Sequence, residues 1–356
     1  MLLSQEAARK ASAMMERKWT VRPYQPEDVD SLQELYTLVF REPRPAQHLV
    51  WKYSRNPAGS GLSMVAELSG QMVGHYGMMP TWLRIGKQVV LGVQACEAMT
   101  HPDFRNQGIS IALARAGMDA AIAKGVEAGY GLAPLDKSYH GLVARLNWDH
   151  VTDIPCWARV LNANVLKGRF RRIRHLVSLG LNFLPSGNRT PGGVEIRDEK
   201  PSDEEMVSLA ELTSSREKLP ACSVQRSVDW FKWRFDSESK RSYVWSSAYR
   251  DGKLEAWAAF GINEWGEMPL IDMNGSDPKS LEAVVSAATR QARKLGVSAL
   301  FAYTSDQNMV RALKSCGYLR HGSIPLVVRQ FTLRTLDANI HVDSSWHITS
   351  QDFDTF

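Results

Sequence analysis

The sequence predicts an α/β fold with two tandem domains. Each domain has a central, mostly antiparallel mixed sheet that is flanked by helices. Residues 89–99 are apolar and rich in β-forming types, which predicts a buried strand, and apolar positions within residues 109–120 have helical spacing. Turn sequences at Ser69-Gly70 and Gly86-Lys87 divide the preceding apolar runs into two hairpins. The same order of patterns recurs in the second half, and 356 residues are enough for two domains.

The composition favours a folded protein that binds an anion. With 44% apolar residues the chain can bury a large core. Its net charge of +5 and its isoelectric point near 9.0 suit an anionic ligand. Nucleic acid would also suit this charge, but no motif supports it, so no nucleic-acid partner is expected.

The cysteines and the termini indicate the compartment. Cys96, Cys156, Cys222 and Cys316 are too far apart for a zinc motif or a disulfide framework, so we expect reduced thiols, a cytoplasmic location and no metal. No stretch has the layout of a signal peptide or the length of a bilayer span, so we expect no membrane insertion. A monomer or a dimer is equally compatible with the sequence.

The turn after the predicted strand at residues 89–99 has the features of an anion site. His101-Pro102-Asp103 predicts a turn, and residues 105–108 lead into the helix. Gly108 lets the backbone approach a ligand, the N–H groups at the helix start attract negative charge, and Arg105 adds a cation suited to phosphate. The alternative is a helix start that binds nothing.

The pattern Arg105-x-x-Gly108-x-Ser110 resembles motif A of the GNAT superfamily of acyl-CoA N-acyltransferases, with Ser110 in place of the final Gly or Ala. The resemblance implies that the loop amides hold the pyrophosphate of acyl-CoA and that a strand amide near Met99 or Thr100 holds the thioester carbonyl. The cofactor-binding residues that it implies are Met99, Thr100, Arg105, Asn106, Gln107, Gly108, Ile109, Ser110 and Ile111.

The resemblance continues on both sides of this motif. Residues 125–132 are similar to the next strand of the family, and Arg145-Leu146-Asn147-Trp148 is similar to its Lys-Leu-Gly-Phe/Trp ending. Residues 48–59 resemble a Trp-Lys-Tyr…Asn-Pro segment of large bacterial members, which Trp230-Phe231-Lys232-Trp233 echoes in the second half. The second half has acidic Asp277 where the phosphate loop would lie, so it resembles a GNAT fold that has lost its CoA site and shapes the acceptor pocket.

Glu97 is the first candidate for the general base, because members of the family often keep one on the central strand. Burial among apolar neighbours would raise the pKa of its carboxyl towards a useful value. The alternative is a glutamate that faces out of the sheet. His101 is a second candidate that would act through water, although a histidine before proline also suits a plain turn.

The general acid of the family is absent, because Val143 occupies the position of its usual tyrosine. Ser138 and Tyr139 come just after the next strand and are candidates to replace it. Ser138 could instead cap the helix, and water could protonate the thiolate. Trp51, Tyr53 and Tyr76 are candidate acceptor-binding residues, with core packing as the alternative for each.

These observations predict an enzyme that transfers an acetyl or short hydroxyacyl group from acyl-CoA to a primary amine. The resemblance to proteins of bacterial surface-polysaccharide synthesis implies a dTDP- or UDP-linked amino sugar as acceptor. An amino acid, a peptide or an aminoglycoside is the alternative acceptor, and a non-catalytic acyl-CoA- or nucleic-acid-binding regulator is the alternative class. The predicted segments are an N-terminal helix or tail (1–18), an acyl-CoA-binding domain (19–165), a basic linker (166–193) and an acceptor-binding domain (194–356).

Overall fold

The computed structural model describes residues 19–135, 138–162, 190–214, 221–235, 242–262 and 267–353. The predicted N-terminal helix or tail (1–18) and residues 166–189 of the predicted basic linker lie outside these residues. None of the helices within the described ranges is long and apolar enough to cross a membrane.

The first half alternates helices and strands in the predicted order. Ser69 and Gly70 form the first hairpin turn, both with left-handed φ, and Gly86 forms the second. The elements are β1 (Thr20–Pro23), α1 (Val29–Phe40), α2 (Ala46–Ser54), β2 (Met64–Leu68), β3 (Gln71–Ile85), β4 (Gln88–Thr100), α3 (Ile109–Ala123), β5 (Ala128–Leu132), α4 (Tyr139–Leu146) and β6 (Asp149–Val160).

The second half repeats this order and adds two short strands. The additions are β8, which precedes its second helix, and β14 near the end of the chain. The elements are β7 (Val194–Arg197), α5 (Asp203–Ser214), β8 (Cys222–Val224), α6 (Val228–Arg234), β9 (Tyr243–Arg250), β10 (Lys253–Gly261), β11 (Glu267–Gly275), α7 (Pro278–Lys294), β12 (Ala299–Tyr303), α8 (Gln307–Ser315), β13 (Leu319–Gln330) and β14 (Trp346–His347).

All described strands join one mixed sheet, which confirms the predicted α/β class. The order is β1-β2-β3-β4-β5-β13-β6-β12-β11-β10-β9-β7, and β8 pairs with β3 and β14. Along that order only β4–β5 and β11–β12 are parallel. The halves exchange their last strands, since β13 pairs with β5 and β6 pairs with β12. The two halves therefore share one continuous sheet.

Helix α3 packs closely against β3, which fixes the direction of its N-terminus. Its buried positions Ile109, Leu113 and Gly117 share one face. A Cβ on Gly74 of β3 would lie 2.6 Å from Ile109, and a Cβ on Gly117 would lie 2.6 Å from a β3 methionine sulfur, so glycine is needed at both positions. The loop between β4 and α3 is thereby held at the edge of the sheet.

Candidate active site

The loop between β4 and α3 has the geometry of an anion site. A single 3-10 turn, Pro102–Phe104, follows β4, and residues 105–108 are exposed. Asn106 and Gly108 have left-handed φ values of 62° and 76°, which turn the chain sharply into α3. A Cβ on Gly108 would meet no atom within 4 Å, so the space beside this glycine is open.

The start of α3 directs backbone N–H groups towards this space. The first donation within the helix runs from the Ala112 N–H to the Gly108 carbonyl oxygen, at 3.0 Å. The amides of residues 108–111 therefore have no acceptor inside the helix, and the helix dipole favours negative charge beside them. The structure brings together the seven predicted loop residues: Arg105, Asn106, Gln107, Gly108, Ile109, Ser110 and Ile111. The Ile109 side chain lies in the core, so only its backbone can reach a ligand.

The two parallel strands of the first half stop pairing before they reach this loop, and we refer to the gap between their ends as the cleft. The β4–β5 pairing ends at Ala95 and Gly131. The His101 N–H donates to the Val73 carbonyl oxygen at 2.9 Å, so the pairing with β3 continues past the end of β4. The backbone N–H groups of successive residues in a strand point alternately to its two sides within the sheet. The Thr100 N–H therefore points away from β3 into the cleft, whereas the Met99 N–H points towards β3.

Glu97 occupies a bulge in β4 and has a left-handed φ of 40°. The register places His75 opposite Met99 and Gly77 opposite Cys96, so both Glu97 and Ala98 face one residue of β3. Non-glycine residues seldom adopt such a φ, and those that do cluster at functional sites. Only Met99 thus separates the bulge, formed by Glu97 and Ala98, from Thr100, whose N–H faces the cleft.

The Glu97 carboxylate is buried and fully engaged. Its Oε1 lies 2.8 Å from the Lys52 ammonium, and its Oε2 accepts a hydrogen bond from the Tyr53 hydroxyl. Burial alone would raise the pKa of Glu97, but the Lys52 charge and these hydrogen bonds outweigh it and hold the pKa below its usual value. The expectation of a raised pKa was therefore wrong, because the sequence did not reveal the cationic partner. The expectation of an outward-facing glutamate was wrong as well.

The neighbouring His75 is completely buried on β3. Its Nδ1 lies 3.2 Å from the Glu97 carbonyl oxygen, and its Nε2 has no hydrogen-bond partner among the described residues. Burial lowers the pKa of His75 to about 4, so the ring is neutral near pH 7. Neutral His75 can then donate from Nδ1 to the bulge carbonyl.

The other three candidate catalytic residues have different surroundings. His101 stabilises its own turn, since its Nδ1 accepts from the Asp103 N–H at 3.3 Å. Ser138 precedes α4, but its side chain makes no capping hydrogen bond, which contradicts the capping alternative. Tyr139 opens α4, and its hydroxyl lies 3.2 Å from His150 Nδ1, whose Nε2 lies 3.2 Å from Asp153. Helices α3 and α4 follow parallel strands, so Tyr139 and the phosphate loop lie at the same edge of the sheet.

The candidate acceptor-binding aromatics are all buried. Tyr76 belongs to the apolar core beneath α3, so the alternative of core packing holds for it. Tyr53 is held by Glu97, as described above. Trp51 stacks on Trp233 with ring centroids 4.6 Å apart, and each indole N–H donates to the other residue's carbonyl oxygen at 2.7 and 3.0 Å. This reciprocal contact joins α2 of the first half to α6 of the second.

A groove between the two halves contains residues that sequence reasoning missed. It runs along β3 beside Trp51 and Lys52, and it is lined by exposed Trp82, by Gln94 and by Arg234. The sequence contained a signal for the ion pair of Lys52 with Glu97. A lysine among the apolar and aromatic residues of α2 needs a buried carboxylate as partner, and Glu97 lies in an apolar strand.

The second half keeps a cleft but not the phosphate site. The β11–β12 pairing ends at Pro269 and Phe301, and a cavity of about 320 Å³ borders the end of β11. At the start of α7, however, the Asp277 carboxylate accepts hydrogen bonds from the Lys279 and Ser280 N–H groups at 3.0 and 3.1 Å. An acidic side chain thus occupies the helix start where a phosphate would bind.

The described part of the chain holds no group of three or more histidine, cysteine, aspartate or glutamate side chains that could bind a metal ion.

Comparison with known proteins agrees with this geometry. Residues 20–151 match the family model of an acetyltransferase (GNAT) domain. No curated protein matches the chain. Among solved structures, a GCN5-related N-acetyltransferase from Anabaena variabilis has a TM-score of 0.62 at 10% identity, covering 88% of this chain and 73% of its own.

Two further solved structures resemble the chain over the same extent. A probable N-acyltransferase from Enterococcus faecalis has a TM-score of 0.63 at 11% identity and covers 88% of this chain and 73% of its own. N-myristoyltransferase of Saccharomyces cerevisiae with bound myristoyl-CoA has a TM-score of 0.66 at 13% identity, covering 88% and 79%. At these identities the similarity establishes the fold. The chain therefore carries a GNAT acetyltransferase domain in residues 20–151, which supports an acyl-CoA-dependent N-acyltransferase, and it shares the overall fold of these structures.

Proposed function

We propose that this protein transfers an acetyl or short hydroxyacyl group from acyl-CoA to the amine of a dTDP- or UDP-linked amino sugar. The observation that carries the transferase part is the start of α3, where the amides of residues 108–111 have no acceptor inside the helix and lie beside the cleft between β4 and β5. The pyrophosphate would bind these amides and Arg105, and the thioester would enter the cleft.

The reaction then needs three contributions from the chain. The Thr100 N–H would donate to the thioester carbonyl oxygen and stabilise the negative charge that develops there. The amine nitrogen attacks the carbonyl carbon, the C–S bond breaks, and the new amide nitrogen loses a proton to water or a base. Tyr139 would protonate the departing CoA thiolate, because it lies at the same edge of the sheet as the loop and one helical turn before Val143.

Glu97 fits poorly as a base that contacts the amine. Both of its carboxylate oxygens are engaged by Lys52 and Tyr53, and the side chain is almost completely buried. A water molecule or the acceptor itself would therefore carry the amine proton away. This assignment gives Glu97 a structural part in the site instead, which the next subsection develops.

The acceptor would bind in the groove between the halves, with residues 194–356 acting as a second GNAT-like domain without a CoA site. Two features support this proposal. The groove borders Lys52 of the Lys52–Glu97 pair, and it exposes the Trp82 indole on which a sugar or a nucleobase can stack. Asp277 blocks a phosphate at the second helix start, so this half is left to serve the acceptor.

The decisive experiment is a CoA-release assay with acetyl-CoA and 3-hydroxybutyryl-CoA against a panel of amines. The panel contains dTDP- and UDP-amino sugars, aminoglycosides, amino acids and peptides. We expect turnover with a nucleotide-linked amino sugar. Turnover confined to the other amines would refute the sugar assignment and leave the acyltransferase assignment standing, whereas binding of acyl-CoA without turnover of any amine would favour a regulator.

A further inference from the structure

The helix α2 carries a buried charge that reaches the central strand of the site. The Lys52 ammonium lies 2.8 Å from Glu97 Oε1, and the side chains of Lys52 and Glu97 are 2% and 4% exposed. Next to it on the same helix, the Tyr53 hydroxyl donates to Glu97 Oε2. A buried ion pair of this kind is held in one geometry, because moving either charge away would leave the other without a partner in the protein interior.

The strand would not adopt this shape without help. Glu97 has a φ of 40°, in a region that costs energy for any residue with a Cβ, and the bulge leaves two residues of β4 opposite one residue of β3. The backbone is fixed from β3 as well, because His75 Nδ1 lies 3.2 Å from the Glu97 carbonyl oxygen. The side chain and the main chain of this one residue are thus held from two elements.

The surroundings leave little room for another arrangement. A Cβ on Gly77 of β3 would lie 2.7 Å from the Tyr53 hydroxyl and 2.8 Å from the Cys96 carbonyl oxygen. Glycine at this position therefore gives the tyrosine the space it needs to reach the bulge. The arrangement therefore joins α2, β3 and β4, and Gly77 of β3 allows their close approach.

We infer that Lys52 and Tyr53 are positioning residues for acyl transfer. Through Glu97 they hold the β4 bulge, and the bulge sets the direction of the Thr100 N–H three residues later. This inference rests on the proposed function. It assigns to Glu97 a conformational role, in which the carboxylate matters because it anchors the backbone and not because it accepts a proton from the amine.

A comparison of glycine with alanine at position 97 tests the inference. In a Lys52→Met background neither variant retains the ion pair, and both leave Tyr53 in the same surroundings. Glycine adopts a φ of 40° without strain, whereas alanine resists it. We expect Lys52→Met/Glu97→Ala to lower kcat by about 10-fold to 100-fold, since small misplacements of a reacting group cost this much. The KM for acyl-CoA should stay within about threefold, because the phosphate loop is a separate element.

Lys52→Met/Glu97→Gly should recover at least about fivefold in kcat over the alanine variant. A glycine variant that is no more active than the alanine variant would overturn the inference, because it would show that the carboxylate itself is needed. A parallel rise in the KM for acyl-CoA in both variants would also overturn it. Such a rise would show that Lys52 and Glu97 act on the loop after β4 and not on β4 itself.

Hydrogen exchange gives a readout that does not depend on turnover. Peptides covering residues 96–101 should exchange at least about 10-fold faster in the alanine variant than in the wild type, and within about threefold of the wild type in the glycine variant. Equal exchange in both variants would contradict the inference even if no acceptor is ever found. If the wild type binds acetyl-CoA but acylates nothing, the proposed function fails while this comparison still decides the role of the cluster.

Tyr53→Phe provides a milder test should the double variants not fold. It removes one hydrogen bond to Glu97 and keeps the ion pair with Lys52. We expect kcat to fall by about threefold to 10-fold with an unchanged KM for acyl-CoA. A kcat equal to that of the wild type would overturn the positioning role of Tyr53.

Discussion

Two glycines at opposite ends of α3 offer a matched test of the CoA site. Gly108 precedes the helix and Gly125 follows it, so they flank a 15-residue helix that is about 23 Å long at 1.5 Å per residue. Both have a φ of 76°, and a Cβ on either would meet no atom within 4 Å. Alanine should therefore cost about 1 kcal/mol of unfolding free energy at each position, through the same backbone strain.

Only the Gly108→Ala change should affect acyl-CoA. Its Cβ would occupy the open space beside the amides of residues 108–111 and weaken one or two charge-assisted hydrogen bonds to phosphate, each contributing about 1.5 kcal/mol. The Kd for acetyl-CoA should then rise by about 10-fold to 100-fold, whereas Gly125→Ala should leave it within about twofold. Calorimetric titration measures both affinities, and urea unfolding measures both stabilities.

The reasoning fails if the two variants lose affinity equally, because the effect would then come from general destabilisation. It also fails if Gly108→Ala binds acetyl-CoA like the wild type, since the pyrophosphate would then lie elsewhere.

Three further predictions concern the rest of the molecule. Asp277→Ala should remove the cap of α7 and lower the unfolding free energy by about 1 kcal/mol while acetyl-CoA affinity stays within about twofold; a large loss of affinity would place a second CoA site in this half. His75 has a folded pKa of about 4 against about 6.5 when unfolded, so the unfolded state binds the extra proton in this window, and stability should fall by up to about 3 kcal/mol as the pH drops from 6.5 to 4. His75→Gln should remove that part of the slope in urea titrations, and an unchanged slope would contradict the assignment. Trp51→Ala and Trp233→Ala should each cost about 3 to 5 kcal/mol, and the double variant should cost clearly less than their sum, because each change breaks the same reciprocal contact. Additive losses in thermal or urea unfolding would show that the two rings act independently.

The parts of the site that sequence alone predicted are local. The loop of residues 105–108 is formed by consecutive residues, so the spacing of Arg105, Gly108 and Ser110 was enough to predict a loop that leads into a helix, while its binding of phosphate stays a prediction. The acidic helix start of the second half was likewise visible in Asp277, whose carboxylate caps α7. Turn chemistry and helix periodicity act over a few residues, and a single sequence contains them fully.

The parts that sequence did not predict depend on contacts between distant segments. Glu97 was expected to have a raised pKa because only its apolar neighbours in the strand were visible, whereas Lys52, 45 residues earlier, reverses the shift. Tyr76 was considered for an acceptor pocket, but the packing of α3 on β3 places it in the core. Side-chain alternation along β3 does not reveal which helix covers which face.

The strand exchange gives the second half a role that does not depend on any ligand. In the first half, β5 finds its next neighbour only in β13, and β6 lies between β13 and β12 of the other half. Neither half can complete its own sheet without leaving strand edges unpaired, and exposed edges of this kind are prone to aggregation. The reciprocal contact of Trp51 with Trp233 adds a second link between the halves. The strand pairing between the halves therefore completes the sheet on both sides of β13 and β6. The helix start at Asp277 takes no part in that pairing, so its chemistry can differ from that of the α3 start without disturbing the sheet.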